Sequence, residues 1–165
     1  MNLLGDDMTT GIKDSFKVSC VWTAIFENMY TGEIRSRTCH NLITTAGLTM
    51  IAKRLAGEAN DCNITYVAVG TDSTAPAVGD TTLGAELDRN ANSYTAYSGT
   101  AITVRGYFGP AEAVGAIEEM ALFGEAASAA ADSGTMFNHA LMSETKTTSE
   151  TLSIEAVITL SLIHI

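Results

Sequence analysis

A chain of 165 residues and 17.3 kDa, 46% hydrophobic and 17% charged, is long enough to bury one core and short for two. Nineteen Asp and Glu against nine Lys and Arg leave a formal net charge of −10, which repels phosphate backbones and anionic lipid surfaces, so neither nucleic acid nor a membrane is an expected partner. Two prolines, fourteen glycines and a mean hydropathy of +0.16 exclude a collagenous or globally disordered chain.

The first residues, Met1 to Asp7, lack the basic region and apolar run of a secretory signal, so no export by that route is expected. Residues 1–14, polar after Leu4 and without periodicity, read as an arm that orders on a neighbouring molecule. From Phe16 the pattern changes. Phe16, Val18, Cys20, Trp22, Ala24 and Phe26 alternate with mostly polar neighbours, which places them on one face of a strand. Asn28 to Glu33 supplies a turn in which Gly32 can take positive φ, and residues 34–41 return antiparallel, so a hairpin is predicted over 16–43.

A helix is predicted next, over about 45–56, capped by a hydroxyl residue before Ala46-Gly47-Leu48 and ended by Gly57. The i, i+3, i+4, i+7 spacing of Leu48, Ile51, Ala52 and Leu55 defines its expected buried stripe, with Lys53 and Arg54 facing solvent. Ile64 to Gly70 reads as a buried strand, and Thr71 to Asp80 as a long functional connection. Asp80 to Leu87 reads as a short capped helical turn burying Leu83 and Leu87. Strand character returns at 94–97, 101–108, 117–123 and 135–142, and the alternation of Leu152, Ile154, Ala156, Ile158, Leu160 and Leu162 marks a last strand whose far end is apolar on both faces.

Seven or so short strands with one helix predict a mainly β fold, an antiparallel β-sandwich of jelly-roll or Ig-like type with a single capping helix, occupying residues 15–165 as one domain. The apolar end of the last strand and the Ala/Ser-rich stretch 126–132 read as surfaces covered by another copy.

Residues that could carry chemistry are sparse. His40, His139 and His164 fall in no metal-binding spacing, and no nucleophile elbow, P-loop or dinucleotide fingerprint occurs, so neither a catalytic site nor a cofactor is expected. Glu118 and Glu119 are adjacent in a strand and point to opposite faces, so at most one is buried. Asp72, Asp80 and Asp88 could offer oxygen ligands to a hard cation, but without EF-hand spacing they read better as carboxylates that cap their own loops. Trp22 reads as core rather than as a sugar platform, and Arg89 and Arg105 as partners of Glu86 or Glu118. Cys20, Cys39 and Cys62 contain no CxxC pair and read as reduced, part-buried thiols, with a Cys20–Cys39 bridge as the one alternative.

The segments Asn41 to Gly57, Ile64 to Thr71, Thr74 to Ala77, Thr82 to Arg89, Phe108 to Glu112, Gly115 to Phe123, Gly134 to Leu141 and Thr151 to Glu155 resemble, in that order, the small structural proteins of tailed bacteriophages that are grouped as tail-fibre or tail-associated proteins. The resemblance implies a non-enzymatic virion component: a tail or neck appendage subunit, assembling with itself as a trimer or ring and with other virion proteins. A capsid decoration protein and a carbohydrate- or receptor-binding module are the alternatives. For such a role the residues expected at an interface are Thr71, Asp72, Pro76 and Asp80 in the long loop, Arg89, the amphipathic Tyr94, Tyr97 and Tyr107, and Leu160, Leu162 and Ile163 in the last strand.

Overall fold

The computed structural model describes residues 14–58 and 62–164, and the side chains of Asp14, Ile163 and His164 are outside that description. The expected N-terminal arm therefore lies outside the described residues, apart from the backbone of Asp14. Nine strands and one helix follow in the order β1 (Asp14–Asn28), β2 (Ile34–Ile43), α1 (Thr45–Leu55), β3 (Ile64–Gly70), β4 (Glu86–Ala91), β5 (Tyr94–Ser98), β6 (Ala101–Phe108), β7 (Gly115–Gly124), β8 (Thr135–Lys146) and β9 (Glu150–His164). All strand pairings are antiparallel, and the sheet order is β4-β3-β7-β8-β2-β1-β9-β6-β5. The sheet curls into a half-barrel.

Strand β2 makes the corner. Its residues 34–40 pair with β1, whereas 41–43 pair with β8, so one strand hands the sheet from one arm to the other. The hairpin that positions it forms as the sequence predicts. Asn28 Oδ1 accepts from the N–H groups of Tyr30 and Thr31 at 3.0 and 3.1 Å, and Gly32 takes φ 71°.

Curling brings the inner faces of the two arms together over the main core. Cys20, Trp22, Ala24 and Phe26 of β1 face inward with Leu152, Ile154, Ala156 and Ile158 of β9, in a register that sets Trp22 opposite Ala156 and Phe26 opposite Leu152. Large side chains thus meet small or flexible ones, the condition for dense packing. Val104 and Phe108 of β6 join this cluster with Val67 and Val69 of β3 from the other arm. The arms touch at Gly106, where a Cβ would come within 2.8 Å of Val67 Cγ2. Burying a side chain such as Phe26 or Phe108 stabilises by about 3 kcal/mol.

Helix α1 starts and ends as expected. The Thr44 hydroxyl accepts from Gly47 N–H at 2.9 Å and donates to the Met136 carbonyl at 2.6 Å, and Gly57 (φ 82°) turns the chain while Glu58 N–H bonds Lys53 O. Its buried face differs from the predicted stripe. Gly47 and Met50 are buried, whereas Ala52 is exposed, Leu48 is 48% exposed and Leu55 83%. Close backbone approach overrides side-chain periodicity here: a Cβ on Gly47 would lie 2.1 Å from Phe137 O, so the helix lies with its glycine flush on β8.

The segment read as a helical turn at 80–87 is also different. Residues 80–85 are irregular and 86–91 form β4, paired with β3. Leu83 is buried as expected, but Leu87 is 37% exposed. Leu83 comes down from the long loop onto the outer face of the sheet, where it covers Ala68, Ala121, Phe123 and Met136 as a second, smaller core.

Candidate functional site

Two regions stand apart from the inner core: a ribbon that leaves the body of the sheet, and a polar cluster beneath the long loop. The ribbon follows from unequal strand lengths. β1 and β9 each run for 15 residues and pair along their whole lengths. Pairing of β2 with β1 begins at Val21, and that of β6 with β9 ends at Thr159, with one further bond from Leu160 N–H to Thr100 O. Among the described residues, 14–20 of β1 and 161–164 of β9 therefore pair only with each other, and both outer edges of this two-stranded segment carry open backbone groups.

The ribbon is also apolar. Phe16 sits directly opposite Leu162, and they are 54% and 65% exposed. Val18 and Leu160 form the next pair inward and are half-buried. Inside the body the same alternating row is fully covered; beyond it, the row continues with nothing described above it. Of the last-strand residues expected at an interface, Leu162 is exposed and Leu160 half-buried, and the Ile163 side chain is outside the described residues.

Beneath the loop 71–85 the sheet carries a carboxylate in the middle of an apolar strand. Glu119 of β7 is 1% exposed and accepts from Gly84 N–H at 2.9 Å, Ala85 N–H at 2.8 Å and Asp72 N–H at 3.3 Å. His139 Nε2 lies 3.0 Å from its Oε2, and His139 Nδ1 lies 2.7 Å from Asp80 Oδ2. A Cβ at Gly84 would collide with Asp72, so that backbone turn needs glycine. At Asp80 burial raises the carboxyl pKa, but the Ala77 N–H and His139 outweigh it and hold the group below the usual carboxylate range. Asp72 is held low first by the Thr74 hydroxyl, which donates to it at 2.8 Å.

This cluster fastens a loop. The carboxylates in it are turned to backbone N–H groups, to the Thr74 hydroxyl or to the imidazole, and among the described residues no hydroxyl or thiol is bonded to His139. Asp88 lies elsewhere, accepting from Arg89 N–H and Ala113 N–H, so the three aspartates do not converge. Among the described residues no group of three or more His, Cys, Asp or Glu could hold a metal ion. Glu118 turns to the opposite face and meets Ser143, as alternation requires.

Arg89 is occupied inside the chain. Its side chain is 2% exposed and forms a fork on Glu86, with Nε–Oε1 at 2.6 Å and Nη2–Oε2 at 2.5 Å. Nη1 donates to Ser133 O and Oγ, and the guanidinium lies 4.5 Å from the Phe123 ring centroid. It ties the Ala/Ser-rich loop to β4 and pairs with Glu86 as one reading of the sequence expected; its buried guanidinium is turned inward rather than toward the surface where an interface was also expected. Arg105 pairs with Glu155 at 2.7 Å rather than with Glu118, and stacks over Tyr94.

The remaining expected interface residues are accessible: Tyr94, Tyr97, Tyr107 and Thr71 are exposed, and Asp72, Pro76 and Asp80 are half-buried in the fastened loop. Trp22 is fully buried, so it offers no sugar platform. The three cysteines form no disulfide; burial, followed by the nearby Cys39, pushes the Cys20 thiol up to about 12. The β9 half of the ribbon was expected as an interface, but its pairing with Phe16 and Val18 of β1 and the Glu119–His139–Asp80 link were not legible beforehand. The available signal was Glu119 itself, an acid among Ile117, Met120, Ala121 and Leu122 that must find partners once buried. No family model, curated protein or solved structure matches the chain.

Proposed function

We propose that the chain is a non-enzymatic structural subunit of a tailed-phage virion, a tail or neck appendage or fibre-associated protein, which assembles with copies of itself as a trimer or ring and with other virion proteins. The observation that carries this reading is the β1/β9 ribbon, with Phe16 and Leu162 exposed as a cross-strand pair and open backbone on both edges. Monomeric proteins blunt or cover such edges, whereas assembling proteins use them to add strands from a neighbour. The net charge of −10 keeps the free subunit soluble until those contacts form. The phage assignment rests on the sequence resemblance, and on this reading the protein resides in the virion. The finer fold expectation, a jelly-roll or Ig-like sandwich, belongs to the same proposal; the shared core of Val67 and Val69 with Val104 and Phe108 supports two facing layers.

Light scattering on the purified chain is expected to give one defined oligomer. Phe16→Asp with Leu162→Asp should dissociate it by at least tenfold in Kd, because a desolvated apolar anchor contributes about 2 kcal/mol or more. A wild-type monomer at high concentration overturns the assembly reading. Copy counting by mass spectrometry of purified particles then separates an appendage, in a few tens of copies or fewer, from a shell component.

A further inference from the structure

Between α1 and the inner face of the curled sheet lies a cavity of about 580 Å³, lined by Met50, Ile51, Ile102, Val104, Ile158 and Leu160. Its size is that of sites for small ligands, and its walls are mostly apolar, with Asn63, Thr65 and Thr95 also in the lining. Such walls favour an apolar guest.

One charged group belongs to the lining. Arg54, in the last turn of α1, borders the cavity. The arginines Arg35, Arg37, Arg89 and Arg105 each have a carboxylate partner, but Arg54 has none among the described residues. The neighbouring Lys53 is taken by Glu125 at 2.9 Å. An apolar chamber with a single unpartnered guanidinium at its border is complementary to a molecule that is aliphatic at one end and anionic at the other. Guanidinium is charged at all working pH values and matches a carboxylate in a planar fork.

We propose that the cavity beneath α1 holds the aliphatic tail of a free fatty acid whose carboxylate pairs with Arg54. Each methylene buried in the chamber tightens binding severalfold. The acidity of the chain opposes anions at long range, but salt screens that repulsion beyond about 8 Å, and contact with Arg54 decides the headgroup. The site shares Leu160 with the base of the ribbon but does not rest on the virion reading.

The test is calorimetric titration of the full chain with laurate below its micelle concentration, beside dodecyltrimethylammonium and dodecyl maltoside, which carry the same tail on cationic and neutral heads. Laurate is expected to bind one per chain, at least tenfold more tightly than either. Arg54→Gln, at an exposed position, should weaken laurate about tenfold, the loss of one charge-assisted hydrogen bond, and leave the maltoside unchanged. Ile102→Trp should fill the chamber and abolish binding of all three; a folded Ile102→Trp that still binds laurate overturns the site, and Arg54→Gln decides alone if that variant does not fold. Equal binding of the cationic and anionic heads, no effect of Arg54→Gln, or no binding of laurate overturns the proposal. So does binding that appears only when the oligomer is dissociated, which would make a second copy the occupant, or binding to anionic phosphatidylglycerol vesicles without binding of free laurate.

Discussion

The two faces of β7 are buried by different means. On the inner face, Ile117, Met120 and Leu122 enter a core that is almost purely apolar. On the outer face, Ala121 and Phe123 lie beneath loops that are held down by buried charge: Glu119 under one, Arg89 with Glu86 under the other. The inner face is stabilised by area and tolerates changes that conserve volume. The outer face depends on each polar atom keeping its partner, because a group stranded without one costs its full desolvation. Loops thereby become as fixed as strands, and Glu119 and Arg89 do for 71–85 and 126–133 what ladder hydrogen bonds do for the sheet.

The contrast can be broken most forcefully at Arg89. Arg89→Met conserves much of the volume yet leaves Glu86 buried and unpaired, and should cost about 3–5 kcal/mol in urea unfolding; adding Glu86→Leu should restore much of it. A loss under 1 kcal/mol for Arg89→Met would mean that the outer face obeys the same rule as the inner one. Glu119→Gln comes next. One amide end must turn a donor toward Gly84 or Ala85 N–H, at a cost of about 1–3 kcal/mol, visible as faster hydrogen exchange at those two amides.

Acid should loosen the fastened loop on the outer face. Because the folded pKa values of Asp72 and Asp80 lie below their unfolded values, their contribution is complete above about pH 4 and is lost as pH falls through the depressed values. Melting temperatures followed from pH 6 to 2 should fall over that range, and Asp80→Asn should flatten the profile. The smallest effect is expected at Leu55. Leu55→Ser should change stability by less than about 0.5 kcal/mol, whereas a larger loss would restore the helix stripe that periodicity alone predicts.

Much of the inner face was legible in the sequence because alternation has one meaning there. The rows from Cys20 to Phe26 and from Leu152 to Ile158 read as buried faces, β6 is found at 101–108 as expected, and Thr44 and Gly57 mark α1. On the outer face the Arg89–Glu86 pair, three residues apart, was legible, but the loop fastening was not, since its partners are remote in sequence: His139 is 20 residues from Glu119 and 59 from Asp80. β4 was hidden for a related reason. Glu86, Asp88 and Arg89 look like a solvated turn until the loops fold over them, and only then does burial of Arg89 distinguish a strand. The strand count was low because of this missed element, and the helix face was wrong because a glycine seated on a neighbouring backbone leaves no hydrophobic signature.

The corner strand has a mechanical consequence. Among the described residues the strand ladder passes from one arm to the other at residues 41–43 of β2, and Asn90 Nδ2 donates to Tyr107 O at 2.9 Å across the curl, so work that pries the curl open falls on this short seam, that side-chain bond and the shared core. Tension along β1 and β9 is instead shared in shear over fifteen paired residues of each. The fold should therefore resist pulling lengthwise better than prying crosswise, a spring clip whose jaw gives before its shank.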